Sequence, residues 1–510
     1  MCSIFDDISD MNKQILRLAI PSILANITIP LVGLVDTAIV GHISDAHAIG
    51  GIAIGTMLFD LLYWNFGFLR VGTSGMTAQA YGRGDRVECA RLLTHSVTIA
   101  LLGAALIWLL QWLFVTAALA IIPCSTEVAV FARQYFFIRV WAAPATLSLM
   151  AIKGWFIGMQ DTVSPMMTDM VVNIVNMAVS YVLAVYTPMG ALGVALGTVV
   201  AQLTGLLLGI VIICWKYRAV WKGLSIWQLA RDKQGIRSLI TLNANLFVRS
   251  LCFMIVYVGF TSLSSMYGDT DLAVCSILMK LFMLVSYFVD GFAYAGEALV
   301  GKYIGKAKSP ISNHPSPIAN SPSPIANSPS PITNSPSPIA NSPSPIANSP
   351  SPLTSNLSPL TSNLSPLTSN LSPLTSIVRL LFLWSLGVGV VFTVIFALSY
   401  MPMYRMMTSD ASVLERLTDF NAWLIAMPIV STLAFMWDGV FTGATAGKQI
   451  RNAMIWAAVG FVLGYVATAH WCGVHALFVG YFLHLAARVI YLTATWKPLS
   501  SHLYPISNIQ

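Results

Sequence analysis

The stretch Gly67-Phe68-Leu69-Arg70-Val71-Gly72 occurs a second time, in outline, as Gly291-Phe292-Ala293-Tyr294-Ala295-Gly296. Gly, Phe and Gly have the same spacing in both copies, and a glycine followed by a cation comes shortly afterwards, at Gly82 and at Gly305. A repeat of this kind indicates that one structural unit is used twice along the chain. What sort of unit it is follows from the composition around it.

The composition is that of a membrane protein. Of 510 residues, 56% are hydrophobic and only 9% are charged, and the mean hydropathy is +0.74. Soluble domains carry roughly 25% charged residues, so this chain cannot cover a water-exposed surface with polar groups. An ordinary cytosolic enzyme, a disordered regulator and a secreted disulfide scaffold are therefore excluded. Seven cysteines without a Cys-x-x-Cys pair indicate no disulfide or metal site.

Apolar stretches of about 20 residues, each able to cross roughly 30 Å of hydrocarbon as a helix, recur along the chain. We predict twelve spans, at 14–38, 47–70, 92–115, 127–150, 164–186, 190–214, 238–262, 271–297, 377–400, 414–437, 450–470 and 473–495. A second motif pair, at 154–158 and 439–443, follows the fourth and tenth spans, just as the first pair belongs to the second and eighth. Because six is an even number of membrane crossings, two copies of a motif that are six spans apart have the same orientation in the membrane. We therefore predict an all-α polytopic membrane protein with two parallel-related six-helix lobes around a central cleft.

Cations are concentrated in alternate loops. They follow the second span at Arg83 and Arg86, the sixth within 216–237, the eighth at Lys302 to Lys308, and the tenth at Lys448. By the positive-inside rule, both termini face the cytoplasm. The net charge of +7 is thus explained by loops beside a lipid bilayer, without a nucleic-acid partner. We expect a monomer in the bacterial inner membrane.

One segment, residues 309–376, differs in character from all the others. It repeats in sevens, first as Ser-Pro-Ser-Pro-Ile-Ala-Asn and then as Asn-Leu-Ser-Pro-Leu-Thr-Ser, with no Asp, Glu, Lys or Arg. Proline in every heptad excludes a coiled coil, so we predict a disordered insert. The other predicted parts are an N-terminal lobe at 1–215, a basic cytoplasmic linker at 216–237, helices 7 and 8 at 238–308, and helices 9–12 with the tail at 377–510.

Several motifs resemble those of one transporter family. Gly33-Leu-Val-Asp36-Thr-Ala-Ile-Val40-Gly41 resembles the first-helix signature of multidrug and toxic compound extrusion (MATE) transporters, and 243–249, 290–297 and 438–443 resemble its DinF-like branch. The match covers nearly all of the chain outside the insert. It implies export of amphipathic, often cationic small molecules, driven by inward movement of protons or sodium ions and without a cofactor.

The resemblance also implies an ion-coupling site at Asp36, Asn176, Ser180 and Thr198. Family members usually have an Asp four residues after the fifth-helix Asn, where this chain has Ser180. Losing one carboxylate disfavours sodium, because hard cations prefer carboxylate oxygens. We therefore predict proton coupling through Asp36, with sodium coupling as the less favoured version. A carboxylate that only hydrogen-bonds neighbouring helices is the alternative for Asp36.

A second polar set falls in the C-terminal half: Asn243, Asn245, Arg249, Asp290, Glu297 and Asp438. These residues form either a second-lobe functional site or structural pairs, with Arg249 or Lys280 as the cationic partner. The seventh helix offers no acid, which argues against a second-lobe cation site. For Lys153 and Arg70 we expect side chains that extend to the membrane interface.

Other classes of protein fit less well. The sequence has no His-Glu-x-x-His, Gly-x-Ser-x-Gly or phosphate-binding Gly-Lys-Ser/Thr motif, so an enzyme is not predicted. A flippase for lipids or lipid-linked sugars shares the general architecture and is the main alternative. Such proteins tend to have a strongly basic cavity, whereas here the candidate acids outnumber the bases.

Overall fold

A computed structural model of the chain describes residues 2–43, 46–122, 124–232, 235–309 and 373–503. This part of the chain is helical throughout and contains no strand. Long apolar helices are the expected result, because a segment crossing a bilayer has to satisfy its backbone hydrogen bonds internally.

The described residues of the first half form ten helices. They are α1 (Cys2–Ile43), α2 (Ala46–Trp64), α3 (Phe68–Arg83), α4 (Arg86–Ile121), α5 (Thr126–Arg139), α6 (Ala143–Gly158), α7 (Val163–Tyr186), α8 (Leu192–Lys216), α9 (Arg218–Trp221) and α10 (Ile226–Arg231). Single 3-10 turns join α2 to α3 and α5 to α6.

In the second half, the part of the chain that the structure describes forms seven helices. They are α11 (Ile236–Ser264), α12 (Asp269–Ala307), α13 (Pro373–Met407), α14 (Ala411–Thr418), α15 (Asn421–Gly443), α16 (Gly447–Cys472) and α17 (His475–Leu503).

Eleven helical stretches among the described residues are long and apolar enough to cross a membrane. The remaining predicted span, 14–38, lies within α1, so the prediction of a polytopic helical protein is confirmed. The spans predicted to end at residues 70 and 297 continue as helix to Arg83 and Ala307. These extensions are less apolar than the predicted spans because they pack against other helices. Small or polar residues such as Thr73 and Ser74 are buried in those contacts.

The two halves repeat the same helix crossings. Gly154 on α6 lies so close to the Arg70 carbonyl that a Cβ would collide with it, and Gly439 on α15 lies equally close to the Ala293 carbonyl. The turn after each of these helices contains a non-glycine residue in the left-handed region, Gln160 (φ 63°) and then Thr445 (φ 54°). The repeated motifs therefore mark equivalent contacts, which place α3 against α6 and α12 against α15.

Helices occupy parts of two segments that were predicted as an insert and a linker. Residues 373–376, the end of the predicted insert, form the first turn of α13, because Pro373 is tolerated at a helix start. The rest of the insert, 310–372, lies outside the described residues. The predicted linker 216–237 contains α9 and α10, whose buried Val220 and Leu229 pack with residues of α4 and α6.

Candidate functional site: a charged cavity between the two halves

A cavity of about 310 Å³ lies between α3 of the first half and α11, α12, α15 and α17 of the second. Much of its lining is aromatic or methionine side chain: Trp64, Phe253, Tyr257, Met279, Phe282, Met283, Tyr287, Tyr294, Met427, Phe435 and Tyr481. Large, adaptable apolar side chains of this kind suit ligands of varied shape.

Asp438 is held by two arginines at one side of the cavity. Its Oδ2 accepts from Nη2 of Arg249 at 2.8 Å, and its Oδ1 accepts from Nε of Arg488 at 3.0 Å. Arg488 is only 1% exposed, so the Asp438 carboxylate is needed as the counter-charge for its buried guanidinium. Arg249, one of the two cations considered as a structural partner for these acids, pairs with Asp438. Arg488 was missed, although an arginine inside an apolar span is itself a signal.

Arg70 and Glu297 form an ion pair that joins the two halves. Arg70 on α3 donates from Nη1 to Oε2 of Glu297 on α12 at 3.2 Å, and its guanidinium lies 4.2 Å from the ring centre of Tyr294. The expectation that Arg70 extends to the interface is wrong, because a carboxylate is available inside the cavity. Lys153 pairs with Asp169 near the start of α7, and both side chains are partly exposed.

Asp290 is the third cavity carboxylate, and it takes part in neither ion pair. It is half-buried on α12, and among the described residues it makes no hydrogen bond or ion pair of its own. The charged groups acting on it are Arg70, Arg249, Glu297 and Asp438. Lys280, the other predicted partner, does not line this cavity.

Three carboxylates and three guanidinium groups therefore line the described cavity. The expectation that its acids outnumber its bases is wrong, because Arg70 and Arg488 were not counted among the cavity residues. Fully ionised, this lining carries no net formal charge.

Asn243 and Asn245 lie outside the cavity lining. Asn245 accepts a hydrogen bond from Nη1 of Arg451 at 2.9 Å, which ties α11 to α16. Asn243 is buried against Gly72 of α3, where the missing Cβ makes room for its side chain. Four of the six predicted second-lobe residues thus meet at the cavity, and these two do not.

Three of the four predicted ion-coupling residues come together between α7 and α8. Nδ2 of Asn176 donates to Oγ1 of Thr198 at 3.1 Å, and buried Ser180 packs directly against Gly197. The nearby Asn173 donates to Thr28 of α1 at 2.6 Å, a contact that the motifs did not indicate. Asp36 falls within α1, but its side chain is outside those that the structure describes.

The two halves are packed together at one end of the cavity. Gly82 of α3 meets the backbone of Lys302, and Gly305 of α12 meets the backbone of Gln79, in both cases too closely for a Cβ. Nε2 of Gln79 also donates to the Gly443 carbonyl at 3.0 Å. Nε2 of Gln160 donates to the Ala298 carbonyl at 2.7 Å.

A polar cluster fixes the loop between α6 and α7 at the same end. Asp161 accepts from Nζ of Lys216 and from the hydroxyl of Tyr217, both at 2.7 Å. Burial raises the pKa of Asp161, but the hydrogen bonds from Lys216, Ser164 and Tyr217 outweigh it and bring the pKa below its ordinary value. Burial and the Asp161 charge raise the pKa of Tyr217, which therefore remains a donor.

Comparison with known proteins identifies the family. A family model described as MatE matches residues 21–182. The chain is 30% identical over 506 residues to the DNA damage-inducible protein F of Escherichia coli strain K12, covering 98% of this chain and 94% of that protein. The chain belongs to the MATE family. Its place in the DinF-like branch follows from the same match.

Other members extend this result. The chain is 25% identical over 308 residues to multidrug and toxin extrusion protein 1 of Oryctolagus cuniculus, covering 60% of this chain and 53% of that protein. The crystal structure of the Vibrio cholerae MATE transporter VcmN in its bent form has a TM-score of 0.75 at 16% identity, covering 99% of this chain and all of that one. This MATE chain is thus an integral membrane transporter of small molecules and not an enzyme, with the two-lobed fold predicted from its repeats.

Proposed function

We propose that this MATE transporter exports amphipathic, often cationic organic compounds from the cytoplasm in exchange for inward-moving protons. The observation that carries the proposal is the cavity between the two halves, where aromatic and methionine side chains surround three carboxylates and three guanidinium groups. An amphipathic cation needs both parts of such a lining, an apolar wall for its body and a negative group for its charge.

The repeated halves support alternating access. The cross-half contacts of Gly82, Gly305, Gln79 and Gln160 close the end where the cations concentrate. With both termini cytoplasmic, this arrangement is an outward-facing state, in which the cavity releases its compound. Separation of these contacts would expose the same cavity to the cytoplasm, as in transporters built from repeated lobes.

The polar contacts favour the proton over sodium. Asp438, the acid in the tenth span, already accepts from two guanidinium groups, which leaves its oxygens poorly suited to a metal ion. Ser180 offers a hydroxyl where relatives offer a second carboxylate. Asp36, the acid identified by motif, is the proposed proton carrier.

A reconstituted assay tests this function. Purified protein in liposomes is given a fluorescent cationic dye under a pH gradient alone or a sodium gradient alone, for the native chain and for Asp36→Asn. We expect dye movement under the pH gradient, and its loss in Asp36→Asn. Dye movement that occurs with the sodium gradient but not with the pH gradient would contradict proton coupling. No dye movement with either gradient would contradict cation export.

A further inference from the structure

The linker between α8 and α11 is held beside the ends of membrane-spanning helices. Both flanking helices are long and apolar enough to cross a membrane, so the linker starts and finishes at the bilayer surface. Its short helices α9 and α10 pack on α4 and α6 through the buried side chains of Val220 and Leu229. Nε2 of His95 on α4 also lies 3.0 Å from the Leu229 carbonyl oxygen. These contacts keep the linker at the level of the membrane surface.

The side of the linker that faces away from this packing is strongly apolar. Ile226 and Trp227, the first two residues of α10, are 62% and 77% exposed, and Trp215 at the end of α8 is 86% exposed. Tryptophan is enriched where the bilayer meets water, because its ring is apolar and its N–H is polar. The exposed side of α10 is therefore suited to the bilayer interface.

Cations surround these apolar side chains. The linker, residues 216–237, contains six Lys or Arg residues and one acid, which gives it a formal net charge of +5. Arg218, Lys222 and Arg231 are exposed, and none of them makes an ion pair among the described residues. An anionic partner for this surface has to come from outside the chain.

The acids close to the linker already have cationic partners. Asp161 accepts from Lys216 at 2.7 Å. Asp232 lies 3.0 Å from Nη2 of Arg91, whose other end group pairs with Glu88. These pairs leave no nearby described carboxylate for the exposed cations of the linker.

We propose that the linker is a binding site for anionic phospholipids. The charged groups of Arg218, Lys222 and Arg231 bind the headgroup phosphates, and Ile226 and Trp227 insert among the upper parts of the acyl chains. Clustered Lys and Arg next to a membrane span attract anionic lipids, and each cation adds to the binding. The inference goes beyond the proposed function, because it does not depend on the transported compound or the coupling ion.

A lipid fits this surface better than a soluble partner does. An acidic protein or a nucleic acid could bind the cations, but it would have to reach a segment enclosed between two membrane spans. An anionic phospholipid is already present at that level and offers both a phosphate and an apolar chain. Helices of four and six residues also have little stability of their own, so contact with the bilayer helps to hold them.

Quenching of Trp227 by brominated lipids tests the inference. The full chain is reconstituted in phosphatidylcholine that contains phosphatidylglycerol, with bromine on the acyl chains of one lipid or the other. Because bromine quenches tryptophan on contact, the signal of Trp227 is obtained as the difference between the native chain and Trp227→Phe. The ratio of quenching by the two lipids at equal mole fraction gives the preference for the anionic one.

Two triple variants separate a site from general charge attraction. The first changes Arg218, Lys222 and Arg231 to Gln. The second, the matched control, removes the same charge from exposed positions outside the linker, by changing Arg86, Lys448 and Lys497 to Gln. In detergent without anionic lipid, both should have the Tm of the native chain, because only exposed side chains change.

We expect both brominated lipids to quench Trp227, and phosphatidylglycerol to be preferred at least about fivefold over phosphatidylcholine. The linker triple variant should lose this preference, and the control triple variant should keep it. The double variant Arg218→Lys, Arg231→Lys should also keep it, since its charges are unchanged.

Three results would overturn the inference. Absence of Trp227 quenching by either lipid would mean that its side chain lies in water, as a surface for a soluble partner requires. An unchanged lipid preference in the linker triple variant would mean that these cations do not bind headgroups. Equal loss of the preference in both triple variants would mean that the net charge of the chain attracts anionic lipid without a site.

Discussion

At the residue scale, the cavity carboxylates differ in what binds them, and this difference assigns their roles. Asp438 accepts from Arg249 and Arg488 and holds three helices, α11, α15 and α17, together. Glu297 joins the halves through Arg70. Asp290 alone of the three accepts from no donor among the described residues. Two of the three cavity acids therefore have a structural role, in ion pairs that join helices.

The structural role of Asp438 predicts a large loss of stability when its charge is removed. In Asp438→Asn two guanidinium groups lose their counter-charge, and one of them belongs to Arg488, which is 1% exposed. Breaking a buried ion pair in this way costs about 3–5 kcal/mol. Thermal unfolding in detergent should show a clearly lower Tm than for the control Asp269→Asn, which changes an exposed residue in the first turn of α12. An unchanged Tm would mean that the Arg249–Asp438–Arg488 cluster does not stabilise the fold.

At the element scale, α3 and α12 cross with no room for a side chain at Gly82 and Gly305. Alanine has a higher helix propensity than glycine. Any loss of stability in Gly82→Ala therefore has to come from the helix crossing itself. The added methyl group would meet the carbonyl of Lys302, a backbone atom that cannot rotate away. We expect the two halves to separate at this end, at a cost of about 1–3 kcal/mol.

Spin labels measure this separation. Positions Arg86 on α4 and Lys448 on α16 are exposed and belong to different halves, and native cysteines are replaced in the background. The label–label distance should lengthen in Gly82→Ala. It should stay unchanged in Gly387→Ala, where a Cβ would have nothing within 4 Å. Identical distances in both variants would contradict closure through the α3–α12 crossing.

Helices of this chain could be predicted from apolar length, and their pairing from the repeated glycine motifs. The full extent of the helices could not be predicted. High hydropathy identifies segments that contact lipid, whereas the end of α3 contacts α12. Ion pairs were also hard to predict, since Arg70 and Glu297 are 227 residues apart in the chain. Arg249 could be considered as a partner for Asp438 because both lie in recognisable motifs, but the sequence did not distinguish it from Lys280. Arg488 lies in no such motif.

At the scale of the whole molecule, the heptad insert interrupts the second repeat between α12 and α13. Helix α13 starts at Pro373, and α12 ends at Ala307. Loop length affects stability only logarithmically. Replacing residues 310–372 with a short Gly/Ser linker should therefore leave the dye transport rate within about twofold of the native value. Normal expression with complete loss of transport would contradict a linker role.

In the proposed function the transporter is an exchanger, in which a bound cation and a proton exclude each other. Proton release on ligand binding tests this most directly. Aminoacridine is added to the purified full chain in weakly buffered detergent solution at a pH where the probe is fully protonated, and a pH indicator counts the protons released. We predict release that saturates with ligand binding. Saturable binding without any proton release would contradict exchange.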